Sequence, residues 1–341
     1  MIKVSPCFIT LILFIIFIYN YDKDDDKEEF SEKNAVDYLI ENNEIDKKKY
    51  FIPETYYDPV NVIKHLYQTN YNIKLFIIPE CDEIVSKMRI HKYINQKYPN
   101  DNLIPNTYTL GRDNDLIKKV FNRNKIYILK KNIQRQEGLE LTNNLDRILN
   151  AKEDDFVVVQ EFLQNPYLIN GRKINIRVYM LMSCDNGKLN AWIYRNGFMY
   201  YTPKLFRKYS LDIGETITTG YIDRKVYDEN PLTTEDFRKY IGKENAKLYD
   251  SRLSVLMYKV INSLSDKFCI NKNIKNYYQF QLFGVDIAPD ENLNVQLIEV
   301  NKGPDLTFKD ERDGELKIKM VREAFNLVNK KNIKNDFIQV Y

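Results

Sequence analysis

Histidine occurs only twice in this chain, at His65 and His91, and cysteine only four times, at Cys7, Cys81, Cys184 and Cys269. No two cysteines are close in sequence, so neither a zinc site nor a Cys–His nucleophile pair is indicated. Buried free thiols are the expected state, with a disulfide left open as the alternative. Glycine and alanine are scarce, and no Gly-Lys step is followed by Ser or Thr, which excludes a Walker phosphate loop. There is no internal repeat, and no low-complexity tract beyond one acidic run.

What is present fits a soluble globular protein: 44% of residues are hydrophobic and 29% charged. A length of 341 residues allows two or three small domains with their own cores. Lys, Asn, Ile and Tyr are abundant, a bias read as genomic composition, so the 26 tyrosines carry no argument. The net charge of +3 is uneven. Residues 22–32 (DKDDDKEEFSE) hold seven acids and two lysines, a net of −5, which leaves +8 on the rest. A basic body favours an acidic partner.

Val4 to Tyr19 (VSPCFITLILFIIFIY) is almost wholly apolar. It approaches the about 17–25 residues that cross a bilayer, and no small-x-small cleavage site follows it. The reading is an uncleaved signal anchor with a single N-terminal span, a cleaved signal being the next alternative. Lys3 upstream and the acids downstream would keep the N-terminus cytosolic and send the body across, but one lysine decides little and the side stays open.

Further along, Asp58 and Pro59 cap an expected helix over 58–68. A strand is expected over Ile73–Ile78, a helix over Glu83–Tyr98, a strand over Thr107–Leu110, and a helix near Asp113–Phe121. Strands Lys125–Lys130 and Leu139–Leu141 precede a short helix over 143–150. From Phe156 the pattern turns strongly β: FVVVQEF, KINIRVYMLMS, LNAWIYR and FMYYT. The polar stretch of about 207–245 has little periodicity and reads as a mobile insertion. Helices near 246–267 and 314–330 flank a last pair of strands. The chain is therefore mixed α/β, with antiparallel character in its second half.

Three groups of residues carry the chemistry. In FGVDIAPD and VQLIEVNKGP, two apolar strands flank a polar turn, which would bring Asp286 beside Glu299 and Asn301 at one mouth of a sheet. Three hard oxygen donors without His or Cys suit Mg²⁺ held partly by a substrate phosphate. In KIYILKKNIQRQEGLEL, Lys130 ends a strand before a loop with Arg135 and Gly138, a hairpin able to close over phosphates. In VVVQEFLQNPYLINGRKINIRVYMLMS, the strand end Gln160-Glu161-Phe162-Leu163 can offer backbone groups to a purine. Beyond it Lys173, Asn175 and Arg177 share one strand face, while Ile174, Ile176 and Val178 face a core. Arg195 in AWIYRNG adds a second guanidinium.

These blocks, in this order and spacing, resemble the tubulin–tyrosine ligase-like enzymes over roughly residues 85–330. Those enzymes are ATP-grasp amino-acid ligases acting on protein carboxylates. The resemblance implies an α/β (α+β) ATP-grasp fold, two α/β subdomains clasping ATP with a smaller N-terminal domain. Expected boundaries are an anchor helix 1–21, an acidic stalk 22–50 with some helical character from Glu32 to Ile45, and an N-terminal subdomain 51–110. A central subdomain 111–165, a C-terminal catalytic subdomain 166–333 and a tail 334–341 complete them. Lys87, with Lys92 as rival, would take the family's first nucleotide-contacting lysine and Lys130 its phosphate lysine. Arg135 to Gly138 would be the phosphate-covering loop, and Gln160, Glu161, Phe162 and Leu163 the adenine hinge. Lys173, Asn175 and Arg177 match the G-R-K-F-D-L-R block and Arg195 the Y-R-E-G block. Asp286, Glu299 and Asn301 match the Mg²⁺ ligands.

The implied reaction uses ATP and Mg²⁺ to convert a protein carboxylate into an acyl phosphate, which an amino acid's amine then displaces. Arg177, Lys173 and Arg195 are the expected catalytic residues. Glutamate is the first choice of added unit, with tyrosine or glycine as alternatives. The expected acceptor is an acidic protein or peptide, with tubulin's tail as one candidate although no tubulin-docking extension is evident. The chain is expected to be monomeric, without a nucleic-acid partner, and cytoplasmic if not anchored. Departures from the family pattern are Lys131 for a proline, Asn175 for an aspartate, and ETITTGYIDR (215–224) where an H-L-T-N block is expected. They keep open a membrane-anchored nucleotide-binding pseudo-enzyme; a small-molecule ligase of the glutathione type is a third reading, against which the GRKxxxR and YRNG blocks speak.

Overall fold

The structure, a computed structural model, describes residues 34–53, 72–132, 138–220, 222–271, 274 and 276–341. The apolar run 4–19, residues 22–33 of the acidic stalk, the expected helix over 58–68 and Arg135 lie outside the described residues. Among the described residues no helix is long and apolar enough to cross a membrane. They fall into two compact units, one of 34–46 with 305–330 and the other of 47–304 with 331–341.

The first unit pairs helix Ala35–Glu41 with helix Glu311–Val328. Each begins on a polar cap: Asn34 accepts from the Val36 N–H, and Asp310 from the Asp313 N–H. Tyr38 and Phe308 meet edge to face, and Lys317 is buried in an ion pair with Asp313 at 2.7 Å.

The second unit contains twelve described strands: β1 (Tyr50–Phe51), β2 (Lys74–Leu75), β3 (Thr107–Thr109), β4 (Tyr127–Lys131), β5 (Leu139–Thr142), β6 (Phe156–Glu161), β7 (Leu168–Ile169), β8 (Arg172–Asp185), β9 (Lys188–Tyr201), β10 (Gln279–Pro289), β11 (Val295–Asn301) and β12 (Phe337–Gln339). The smaller sheet has the order β3-β6-β4-β5 and is antiparallel throughout. One of its faces buries Tyr127, Leu129 and Val159 against Ile117 and Ile148, and the other carries Ile128 and Leu141 beside Lys130 and Gln160. The larger sheet runs β1-β2-β10-β8-β9-β12, with β11 added to β10 and β7 to β8. Ile174, Ile176, Val178, Met180 and Met182 of β8 enter its core with Phe237, Tyr249 and Met257 from helices Thr234–Ile241 and Lys243–Leu264.

Several elements differ from the sequence reading. LNAWIYR and FMYYT form one strand, because Gly197 carries the chain through an irregularity opposite β8. A Cβ there would lie 2.1 Å from the Arg177 carbonyl oxygen, so the two strands can pair only around a residue without a side chain. The helix expected over Glu83–Tyr98 is two, Asp82–Val85 and Ile90–Lys97, because Ser86 turns to extended backbone. The stretch of about 207–245 contains three short helices, Ile213–Thr216, Val226–Glu229 and Thr234–Ile241. The last carries a Thr233–Asp236 capping box, and Leu232, Phe237 and Ile241 anchor it in the core. Those anchors are too sparse in sequence to show a period.

The expectation of free thiols is corrected for two cysteines. Cys184, at the end of β8, and Cys269 form a disulfide across 85 residues of sequence, with Cα atoms 5.4 Å apart. No spacing pattern could have shown a pairing set by the tertiary fold. Cys81 does remain a buried free thiol, its pKa pushed up to about 12 by burial. Since closing a long loop stabilises mainly by restricting the unfolded chain, the Cys184→Ala/Cys269→Ala variant should lose about 2–4 kcal/mol. Urea unfolding of that variant and of reductant-treated wild type measures this; unchanged midpoints in both would show the bond is absent in solution.

Candidate active site

The register of three strands builds the centre of the site. β10 is buried along its whole length, and Asp286 faces Arg177 of β8 on one side and Glu299 of β11 on the other. Directly opposed residues share a face, so all three side chains meet. The turn and a bulge set this register together: Asp290 Oδ1 accepts from the N–H groups of Asn292 and Asn294, and Leu293 takes a left-handed φ of 62°. The pairing then shifts by one residue between Asp286 and Ile287, so that Glu299 rather than Ile298 stands opposite Asp286. Arg177 holds Asp286 through two bonds, Nε to Oδ1 at 2.5 Å and Nη2 to Oδ2 at 3.0 Å. The Asn301 amide lies 3.3 Å from Glu299 Oε1 and 3.5 Å from Asp286 Oδ2. Gly284 floors the guanidinium, since a Cβ there would come 3.0 Å from Arg177 Nη1, and the Tyr200 ring lies 5.4 Å away.

Electrostatics follow from burial and neighbours. Burial pushes the Asp286 carboxyl up, and although Arg177 opposes this the Glu299 charge adds to it, so its pKa lies above the ordinary value. Burial pushes Glu299 up as well, but Lys87, Lys130 and Arg177 together outweigh it and hold that carboxyl below the usual range. Burial also works against the Arg177 charge, and Asp286 with Tyr200 overcomes it.

Two lysines reach the same region from different sheets. Lys130 of β4 lies on the same face of the smaller sheet as Gln160, to whose Oε1 it donates at 2.7 Å. Lys173 of β8 donates to the Thr216 carbonyl at 3.1 Å and lies 4.6 Å over the Phe162 ring. Burial pulls Lys130 down to about 8, and burial with the charge of Lys130 pulls Lys173 down to about 7. A cleft joins Lys87, Lys130, Gln160 and Glu299 to an apolar wall of Ile84, Ile90 and Ile104. Lys87 therefore lines the cleft, whereas its rival Lys92 is exposed on a helix.

The remaining sequence candidates are placed less centrally. The N–H groups of Glu161 and Phe162 are used inside the sheet, on Asn106 and Ile126. The Glu161 side chain pairs with Lys125 at 2.8 Å, on the face away from Gln160. Any amide offered to a ligand by this segment must come from Leu163 onward. Gly138, at φ 77°, closes the β4–β5 loop by accepting from the Lys131 N–H. Arg195 is exposed, with its backbone bonded to Asp336 and Thr234. Asn175 stands between Lys173 and Arg177, and its buried Oδ1 has no hydrogen-bond partner in the structure. Sequence reasoning missed Thr107, Thr216, Tyr200 and the roles of Gly284 and the Gln160 side chain. Of these only Gly284, a glycine inside an apolar strand, left a readable signal.

This donor set fits the expected ligands. Among the described residues no three His, Cys, Asp or Glu side chains form a cluster, so a metal held by Asp286 and Glu299 would need the Asn301 amide as its third donor, which offers oxygen when turned over. Two buried carboxylates side by side favour a hard dication, and the small number of protein donors leaves coordination positions for phosphate oxygens and water, as Mg²⁺ requires. The orphaned Asn175 oxygen is an acceptor suited to a hydroxyl donor on a nucleotide.

Comparisons with known proteins point to one family. The probable tubulin polyglutamylase ttll-9 of Caenorhabditis elegans is 28% identical over 255 residues, 69% of this chain and 60% of the relative. The probable tubulin polyglutamylase TTLL9 of Rattus norvegicus is 32% identical over 187 residues, covering 50% of this chain and 38% of the relative. Tubulin glycylase 3B of Drosophila melanogaster is 26% identical over 202 residues, 53% of this chain and 26% of the relative. The chain thus spans less than two thirds of each relative's length. Residues 65–336, which include every described candidate residue, match the model of the tubulin-tyrosine ligase family, and the chain belongs to that family.

Proposed function

We propose that this protein is an ATP- and Mg²⁺-dependent ligase that joins an amino acid, glutamate in the first instance, to a side-chain or terminal carboxylate of an acidic protein. The observation that carries the proposal is Asp286 held between Arg177 and Glu299, beside a cleft lined by the buried Lys130 and by Lys87. Bound ATP and Mg²⁺ would supply the phosphoryl group that activates the acceptor carboxylate and the charge that offsets its transfer. Asp286, Glu299 and Asn301 would hold the metal, Lys130 and Lys173 the phosphates, and Asn175 the sugar. Arg177 has a fork of donors and would stabilise the oxyanion formed as the amine attacks. Glutamate and a tubulin acceptor are favoured by the names of the relatives, and glycine is kept as the alternative by the fly protein's name. The test is a panel of radiolabelled amino acids with enzyme, ATP, Mg²⁺ and tubulin or another acidic protein. Glutamate incorporation is expected. Incorporation of glycine or tyrosine alone would change the added unit, and none with any acceptor, despite ATP binding, would favour the pseudo-enzyme.

A pH dependence follows from the buried lysines. In the ligand-free protein Lys173 and Lys130 titrate near about 7 and about 8. A bound polyphosphate favours their charged forms and raises both pKa values. ATP binding at pH 8 should therefore take up protons, and affinity should fall as pH rises through 7–8. Calorimetry in buffers of different ionisation enthalpy measures the uptake; net proton release would refute the assignment of these lysines.

The disulfide favours a second reading of location. Such bonds persist in oxidising compartments, and the apolar run 4–19 would deliver the body there. In that case the acceptor is an acidic luminal or extracellular protein rather than tubulin. Alkylation of thiols in intact cells before lysis decides it: Cys184 and Cys269 blocked by each other place the body outside the cytosol, and both alkylated places it inside.

A further inference from the structure

We infer that Thr107 is a positioning residue for nucleotide binding, acting through a one-way hydrogen-bond relay, Lys130 to Gln160 to Thr107 to Pro105, that aims the Lys130 ammonium into the cleft. The inference rests on the functional reading above, in which Lys130 contacts phosphate.

Each link has only one allowed direction. The Pro105 carbonyl can only accept, so the single Thr107 hydroxyl proton goes to it, at 2.7 Å. Thr107 Oγ1 is then left to accept, and it does so from Gln160 Nε2 at 2.8 Å. That fixes the Gln160 amide with its oxygen outward, where Lys130 Nζ donates to it at 2.7 Å. A flipped amide would set an NH₂ group against an ammonium and a carbonyl against a hydroxyl oxygen with no proton to give. The strands enforce the arrangement. Thr107 is opposite Gln160 in the β3–β6 register, and Gln160 and Lys130 occupy the same face of adjacent strands. All three side chains belong to residues less than 9% exposed, so water does not readily replace a lost partner. Thr107 and Gln160 both border the cleft, but in this reading Thr107 need not touch the nucleotide. Its effect would pass through the amide.

The experiment measures ATP affinity by calorimetry on the full chain, with thermal melting as the check on folding. Thr107→Val keeps the shape, removes the proton and the acceptor, and releases the amide to flip. It should weaken ATP binding about tenfold, the scale of one hydrogen bond to a charged group. Thr107→Ser should restore it to within about twofold. The decisive arm is a double-mutant cycle with Gln160→Leu: if Thr107 acts only through Gln160, Thr107→Val costs nothing further on that background. If Thr107→Val does not fold, Thr107→Ala takes its place in both backgrounds. Wild-type affinity in the folded valine or alanine variant, or an equal loss with and without Gln160, overturns the relay. Failure of the wild-type chain itself to bind ATP would instead overturn the functional reading on which the relay depends.

Discussion

Arg177→Ala is expected to lower the ligation rate by at least about 10²–10³, the usual cost of removing one donor to a developing oxyanion. The same substitution strips Asp286 of both its hydrogen bonds from Arg177 and leaves it next to Glu299 without that guanidinium. Breaking a buried pair from one side costs about 3–5 kcal/mol, so some loss of stability is expected too, and the two effects must be separated. Adding Asp286→Asn removes the orphaned charge and should recover much of the stability but none of the activity, because a metal donor has been lost as well. Arg177→Lys keeps the charge but not the planar fork, and should fall between. Urea midpoints and turnover measured on the same preparations test both parts. If Arg177→Ala ligates within tenfold of wild type, Arg177 has no part in the chemistry.

How much of this site could be read in the sequence depended on whether partners were local. The opposition of Asp286 to Glu299 was only partly readable, because counting back from the turn sets Asp286 against Ile298 and a bulge moves Glu299 into place, whereas the shared face of Glu299 and Asn301 was readable from strand alternation. The Lys173–Asn175–Arg177 face was readable for the same reason, as Ile174, Ile176 and Val178 occupy the other side. The pairing of Arg177 with Asp286 was not, since 109 residues separate them and only the β8–β10 register joins them. Thr107 and Gln160 lie 53 residues apart, and neither residue type signals a partner. The break at Ser86, which carries Lys87 to the cleft, left no Pro or Gly to betray it. Family resemblance supplied the roles of residues, and the strand registers supplied their partners.

Those registers also make Glu299 the most informative carboxylate to remove. Glu299→Gln preserves size and removes one charge from the metal pair and one counter-charge from Lys130 and Lys87. Turnover is expected to fall about 10³-fold, in keeping with the several kcal/mol that a correctly held cation contributes. The sign of the accompanying stability change can be worked out. Because the folded Glu299 pKa lies below its unfolded value, ionised Glu299 contributes stability that is fully present above the unfolded value. That contribution is lost as pH falls through the lowered folded value. Asp286, with its pKa raised, has the opposite sign and gains stability from protonation as pH falls. The stability gap between wild type and Glu299→Gln should therefore be largest near neutral pH and close in acid. A ligand readout removes any ambiguity: Mg²⁺ with ATP should raise the melting temperature of wild type, and Mg²⁺ should add little beyond ATP alone for Glu299→Gln. An equal Mg²⁺-dependent shift in both proteins would remove Glu299 from the metal site and leave Asp286 bound to Arg177 as a purely structural pair.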